Sequence, residues 1–320
     1  MLKYIGRRLM HLIPVILLIS ILLFGIIKMT PGDPVGANLD PRSTAEQKAA
    51  ERARLGLDKP IPVQYWEWLK RSVKGDFGDS YIYKVPVSKV VPGFIWNSFV
   101  LNVFVYIFAF LIAVPIGIIT AVKQYSRTDN FWSAFSIIGI SMPTFFFGLL
   151  LIYFFAVKLD LFPINGMRTV GSKATGLANI KDVLYHMVLP GIVLIIANLA
   201  SLVRYTRTSM LEVINQDYIR TARSKGLEEK VVIYRHAFRN ALIPIITIVG
   251  FTIPVLFSGA VMLETVFNWP GIGRILIDAV NLRDYNLMMA LNMFFAILTL
   301  LGNLLADIGY ALVDPRIKVD

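Results

Sequence analysis

NQDYIRTARSKGLEEKVVIYRHAFRNALIP, running from Asn215 to Pro244, is a polar stretch set between two apolar segments. Its polarity and pattern predict a loop with helical character lying outside a membrane. From 215 to 240 it carries six bases (Arg220, Arg223, Lys225, Lys230, Arg235, Arg239) against three acids (Asp217, Glu228, Glu229). Asp217 sits where a first helical turn would start, and a carboxylate there suits the positive helix end. Tyr218 and Ala222 are four apart and are expected to share one face. Gly226 interrupts the pattern as a helix stop or sharp turn would, most usefully with φ > 0. A second helical run follows. Pro244 is expected to open the next apolar segment, where its missing N–H costs little.

Outside this loop the chain is strongly apolar. Of its 320 residues 56% are hydrophobic, and the mean hydropathy is +0.64, beyond what a soluble domain usually carries. Apolar runs span Leu9–Ile27 and roughly 97–122, 131–157, 186–204, 241–263 and 287–313. Each reaches or nearly reaches the ~20 residues that a helix needs to cross a bilayer. The first run is long and lacks a small-residue cleavage site, so it reads as an uncleaved span. Pro115, Pro143, Pro190 and Pro254 fall inside spans, which membrane helices tolerate when neighbours satisfy the freed carbonyls. Gly117, Gly139, Gly148, Gly250 and Gly259 would allow close helix approach. The fold class is all-α, a membrane protein of six transmembrane helices.

Residues 30–94 differ: Pro31–Pro34 (PGDP) punctuates the exit from the membrane, and a short helix at 43–54 ends in the turn LGLDKP. Tyr65, Trp66 and Trp68 suit a small folded or interfacial segment. GDFGDS (Gly75–Ser80) is a turn whose acids do not have calcium-loop spacing.

Lys and Arg set the orientation. With the N-terminus inside, the cytoplasmic stretches hold 15 of them and the short external ones 7. The long 30–94 loop carries little weight in this rule. Both termini and the 215–244 loop are therefore expected in the cytoplasm, and residues 30–94 outside. The net charge of +11 is read as orientation and contact with membrane lipid, not nucleic acid.

Groups for chemistry are scarce. No glycine is followed by lysine, so there is no phosphate cradle of the GKS/GKT kind. There is no cysteine, and His11, His186 and His236 have no metal-ligand spacing; the latter two are expected at interfaces. Ser258-Gly259 lacks the glycine and partner histidine of an intramembrane serine protease. Glu264, in LETVFNWPGIGR, is the most unusual charge, since a carboxylate at that depth is either functional or snorkelling. Asp307, near the inner end of the last run, is expected to be structural. Proton- or ion-coupled secondary transport would need further ionisable groups inside the spans.

The Asn215–Pro244 stretch resembles the EAA loop of permease subunits of bacterial and archaeal ABC importers. Thr221-Ala222-Arg223 fills the Glu-Ala-Ala triplet, Gly226 matches its glycine and Leu242-Ile243-Pro244 its end. Thr221 and Arg223 depart from the motif. DYIRTARSKG followed by RNALIP is similar to the dipeptide/oligopeptide/nickel branch. PGDP, LGLDKP, the Glu264–Gly273 pattern and Asp314-Pro315-Arg316 extend the resemblance over most of the chain. It implies a type I importer permease fold, with an N-terminal helix at 1–29, an extracytoplasmic loop domain at 30–94 and a five-helix core at 95–320 holding the coupling loop at 215–244. It implies a channel-forming, non-catalytic inner-membrane subunit. Its partners would be a second, homologous permease in a heterodimer, two ATPases and an extracytoplasmic solute-binding protein. No cofactor is expected in this chain; ATP and Mg would sit on the ATPases. Asp217, Tyr218, Thr221, Ala222, Arg223 and Gly226 would dock the ATPase, with Ala222 small enough to sit deep in its cleft and Arg220, Arg223 and Lys225 facing acidic groups. Glu264, Phe267 and Pro270 would line the substrate path or external gate.

Overall fold

A computed structural model describes residues 2–30, 35, 36 and 42–313. The PGDP exit and Asp314-Pro315-Arg316 lie outside the described residues. All six apolar stretches are helical. They fall in α1 (Leu2–Met29), then, after two short helices α2 (Ala45–Arg54) and α3 (Ile61–Ser72), in α4 (Val87–Val122). Next come α5 (Arg127–Ser141) and α6 (Thr144–Leu151), the latter continued by a π-helical turn Ile152–Lys158, and α7 (Gly176–Ile214). The coupling-loop helix is α8 (Asp217–Ser224) and a single turn, α9 (Glu229–Val231), follows it. A π-helical Val232–Ala237 then runs into α10 (Phe238–Leu256). The chain closes with α11 (Val261–Val266), α12 (Ile272–Asn281) and α13 (Tyr285–Val313).

Among the described residues four helices are long and apolar enough to be single spans, and α5 and α6 pass the same test only together, bent by 99° at their junction. Pro143 causes the bend. The residue before a proline is driven out of the helical region, and Met142 sits at φ −80, ψ 124, ending α5 at Ser141. The stretch read as 241–263 is likewise divided between α10 and α11.

The chain packs as two units. The first comprises residues 1–98, 257–261 and 270–320; the second comprises 99–256 and 262–269. Phe24 and Ile27 of α1, Trp68 of α3, Val87 and Val91 of α4, Ile272 of α12 and Leu287 of α13 share one core. Thr44 caps α2 in a reciprocal box with Gln47, which satisfies two orphan donors. The Ser80 hydroxyl and the Ile82 N–H donate to Asp284 Oδ2 at 2.5 and 3.1 Å, across about 200 residues of sequence. The Leu287 N–H donates to Asp284 Oδ1 at 3.1 Å, so this fully buried carboxylate also caps α13. Within this unit Gly259 lies against Gly273, and a Cβ at Gly259 would collide with that backbone.

In the second unit α7 packs against α5 and α10. A Cβ on Gly117 would lie 2.5 Å from Thr206 Cβ, whereas Gly139 has ordinary contacts only. Arg207 of α7 donates to both oxygens of Asp129 of α5 at 2.8 and 2.9 Å. Both groups lie just outside the apolar runs 131–157 and 186–204, on the helices that carry them. The pair is closed on itself: Asp129 also accepts the Tyr125 N–H at 2.9 Å. His186 is buried ten residues into α7, its Nδ1 2.8 Å from the Asp182 carbonyl.

Candidate functional site

The coupling loop is built from an eight-residue helix with two unlike faces. Ile219 and Ala222, three apart, form its inward stripe. They are buried with Ile118 and Ala121 of α4, Met210 of α7, Val232, Ile233 and Ala237 of the π-helical turn, and Ala241 of α10. Asp217, Tyr218, Arg220, Thr221 and Arg223 are exposed. The expectation that Ala222 is offered outward beside Tyr218 is therefore corrected. Positions four apart differ by about 40° around a helix, and the inward stripe centred between 219 and 222 takes the alanine and leaves Tyr218 44% exposed. Ala222 is small because the chain's own core requires it.

α8 ends at a turn that the sequence located. Gly226 has φ +75, and a Cβ there would meet nothing within 4 Å, so the backbone angle alone favours glycine. Across the turn Arg223 grips Glu229, Nε to Oε2 at 3.2 Å and Nη2 to Oε1 at 2.8 Å. That hydrogen bond holds the Glu229 carboxyl below the usual range. Arg220 lies 3.3 Å from Asp217. Two of the bases expected to face a partner are thus engaged within the loop, through exposed pairs worth about 0–1 kcal/mol each. Lys225 stays exposed. Pro244 does not open a helix. It lies inside α10, because helical structure already runs from Glu229 through the π-turn into that helix.

The second candidate cluster is divided. Glu264 and Phe267 belong to the second unit and Pro270 to the first. Glu264 is 1% exposed, so it does not snorkel to a surface. Its carbonyl accepts the Trp269 N–H at 2.8 Å and the Phe267 carbonyl accepts the Gly166 N–H at 2.8 Å. Phe267 packs on Gly148, where a Cβ would come within 3.0 Å of its ring. Asn268 takes φ +49 and Trp269 is fully buried with Leu101, Val105 and Met187. Pro270 gives its carbonyl to Asn97 Nδ2 at 2.9 Å. Sequence reasoning missed Ile219, the one large apolar residue in α8, and Glu229, whose signal is an acid six residues beyond Arg223 across a glycine. Among the described residues no group of three acids or histidines could hold a metal.

Comparison with known proteins covers the chain end to end. Residues 113–319 match the family described as "Binding-protein-dependent transport system inner membrane component". Residues 1–114 match the N-terminal model of the same transport-system membrane components. The oligopeptide transport system permease protein AppB of Bacillus subtilis (strain 168) is 43% identical over 99% of this chain and 100% of its own length. The glutathione transport system permease protein GsiC of Salmonella typhimurium is 36% identical over 99% of each chain. A solved structure described as "Inward facing conformations of the MetNI methionine ABC transporter: CY5 native crystal form" superposes with a TM-score of 0.50 at 16% identity. That match covers 69% of this chain and 96% of the other, and it supports the fold alone.

Proposed function

Since the chain belongs to the family of binding-protein-dependent transport system inner membrane components, we propose that it forms the channel-lining half of an ATP-driven importer for di- or oligopeptides or a related small solute. Such a permease is non-catalytic and works with ATPase subunits and a solute-binding protein. Relatives named for oligopeptide and glutathione transport support the peptide class. In our reading a second, homologous permease completes the channel, and both termini and the α8 loop lie in the cytoplasm.

One observation carries the mechanism: α8 shows an exposed polar face outward while its inward stripe is packed on α4, α7 and α10. A helix seated on the ends of three spans is a lever. ATP-driven closure of the ATPases would push on Asp217, Tyr218, Thr221 and Arg223, and dense packing passes that displacement to the spans. Glu264, Phe267 and Pro270 would then act as a braced segment near the external gate.

Transport into reconstituted vesicles abolished by vanadate and unaffected by an uncoupler is the expected result. The reverse would replace this reading by secondary transport. Topology has its own test, simplified by the absence of cysteine. Cysteine placed at Val73, which is 80% exposed, should react with an impermeant reagent from outside, and cysteine at Ser224 only after permeabilisation. Labelling in the opposite sense sinks the orientation and the coupling role together. Gly226→Val should strain the turn by about 1–2 kcal/mol and redirect the chain after α8. Normal membrane insertion with weakened stimulation of ATP hydrolysis is expected, and unchanged stimulation would mean the turn is not part of the lever.

A further inference from the structure

Within the second unit a cavity of about 240 Å³ opens between α4, α5 and α7. Thr120, Trp132, Ser133, Ser136, Arg204 and Arg207 give it a polar, basic lining, and no carboxylate lines it. Thr120 is in the last turn of α4, the α5 residues are in the first three turns of that helix, and Arg207 is two turns from the end of α7. The same helix ends hold α8 through Ile118, Ala121 and Met210. The cavity therefore lies where apolar spans meet the polar coupling loop, which is the level of lipid headgroups.

Two of its polar groups are uncommitted. Arg207 is taken by Asp129 through both carboxylate oxygens, and the Thr120 hydroxyl donates to the Gly117 carbonyl at 3.0 Å. Arg204 lies three residues before Arg207 and so on a neighbouring part of the same helix face. It is exposed and has no ion-pair or hydrogen-bond partner among the described residues. Ser136 is 9% exposed, and its hydroxyl has no hydrogen-bond partner among the described residues, yet it is not sealed off from the cavity that it lines. Among the lining groups and their partners one carboxylate balances one of two guanidiniums, which leaves a net positive charge. The outer edge is apolar. Ile137 lines the cavity and is 67% exposed, and Phe131 and Ile138 extend the exposed apolar surface of α5. Trp132 meets Phe131 and Phe135 edge to face, as in the aromatic belts at membrane interfaces.

We propose that this cavity binds the phosphate of an anionic phospholipid, gripped by Arg204 and accepting the Ser136 hydroxyl, with the acyl chains running over Ile137 and the exposed face of α5. A planar guanidinium holds phosphate oxygens bidentately, and basic pockets between spans at the headgroup level suit anionic lipid. The apolar edge favours a lipid over a free anion, which would have no use for it. The site depends on the chain lying in a membrane, not on the solute it carries or the direction in which it spans.

The test is native mass spectrometry of the full chain in detergent, titrated with phosphatidylglycerol, with phosphatidylcholine and with inorganic phosphate. A single phosphatidylglycerol is expected to be held about tenfold more tightly than phosphatidylcholine, whose choline offsets its phosphate charge. Arg204→Gln should weaken phosphatidylglycerol about tenfold and erase the preference, Arg204→Lys should restore most of it, and Ser136→Ala should weaken it by about threefold. Arg204 is exposed and outside the Asp129–Arg207 pair, so its variants fold. Saturable binding of inorganic phosphate that Arg204→Gln abolishes, with no preference between the lipids, identifies a free anion as the ligand and overturns the lipid assignment. Equal retention of the two lipids, or phosphatidylglycerol that survives Arg204→Gln, overturns the proposal. So does an Arg204→Gln chain that keeps its lipid but no longer pairs with a second permease, which assigns the arginine to a contact between subunits.

Discussion

Ala222→Glu should abolish coupling, and the loss should come from inside the chain. Ala222 is 7% exposed and lies among Ile118, Met210, Ile219 and Val232. A glutamate there either buries an unpaired carboxylate or forces α8 off its seat, a destabilisation on the order of 3–5 kcal/mol. The seat is local, so the spans should still insert. The lever should fail: ATPase should co-purify poorly, and loaded binding protein should not stimulate hydrolysis in reconstituted vesicles. Tyr218→Ala separates the two faces of α8. The tyrosine is exposed, so its removal should leave the loop folded and weaken only the contact with the ATPase. Loss in both variants, with amide protection of the loop lost only in the first, is the expected pattern. Near-normal coupling in Ala222→Glu would mean that α8 is an interfacial helix and not a lever.

The contrast between those two residues shows what the sequence could convey. Apolar length was enough to locate six helical stretches, and a glycine after eight polar-faced residues was enough to locate the turn at Gly226. Both signals are local. The direction of α8 was also local: Ile219 and Ala222 are its apolar pair, and pairing Ala222 with Tyr218 instead turned the helix outward. Pro244 misled because helix already ran through the π-turn before it, which a proline rule applied to a single segment does not foresee. The remainder was out of reach for a different reason. Asp129 meets Arg207 and Asp284 meets Ser80 across 78 and 204 positions, and nothing in the spacing of either sequence neighbourhood specifies its distant partner. The place of Trp68, Tyr81 and Val87 in a shared core with α12 and α13 is likewise set by contacts between distant segments.

Asp284→Ala should open the first unit where those distant segments join. The carboxylate is fully buried and accepts three donors: the Ser80 hydroxyl and the Ile82 and Leu287 N–H groups. Truncation leaves them without their acceptor, at roughly 1–3 kcal/mol for each donor left unsatisfied, the α13 cap being the Leu287 member of the three. A combined loss on the order of 3–9 kcal/mol is expected. Asp284→Asn should be milder. Its one amide oxygen can keep Ser80 and Ile82 on the Oδ2 side, which turns the NH2 toward the Leu287 N–H and loses chiefly the cap. Ser80→Ala should be milder than Asp284→Ala, because it keeps the carboxylate for Ile82 and Leu287 and frees only the Tyr83 N–H that Ser80 Oγ accepts at 3.1 Å. Hydrogen exchange at Ile82 and Leu287 reads the series directly. Protection should fall at both amides in the alanine variant, mainly at Leu287 in the asparagine variant, and least in Ser80→Ala. Unchanged protection at both amides in Asp284→Ala would show that the core around Phe24, Trp68 and Leu287 holds the loop without the carboxylate.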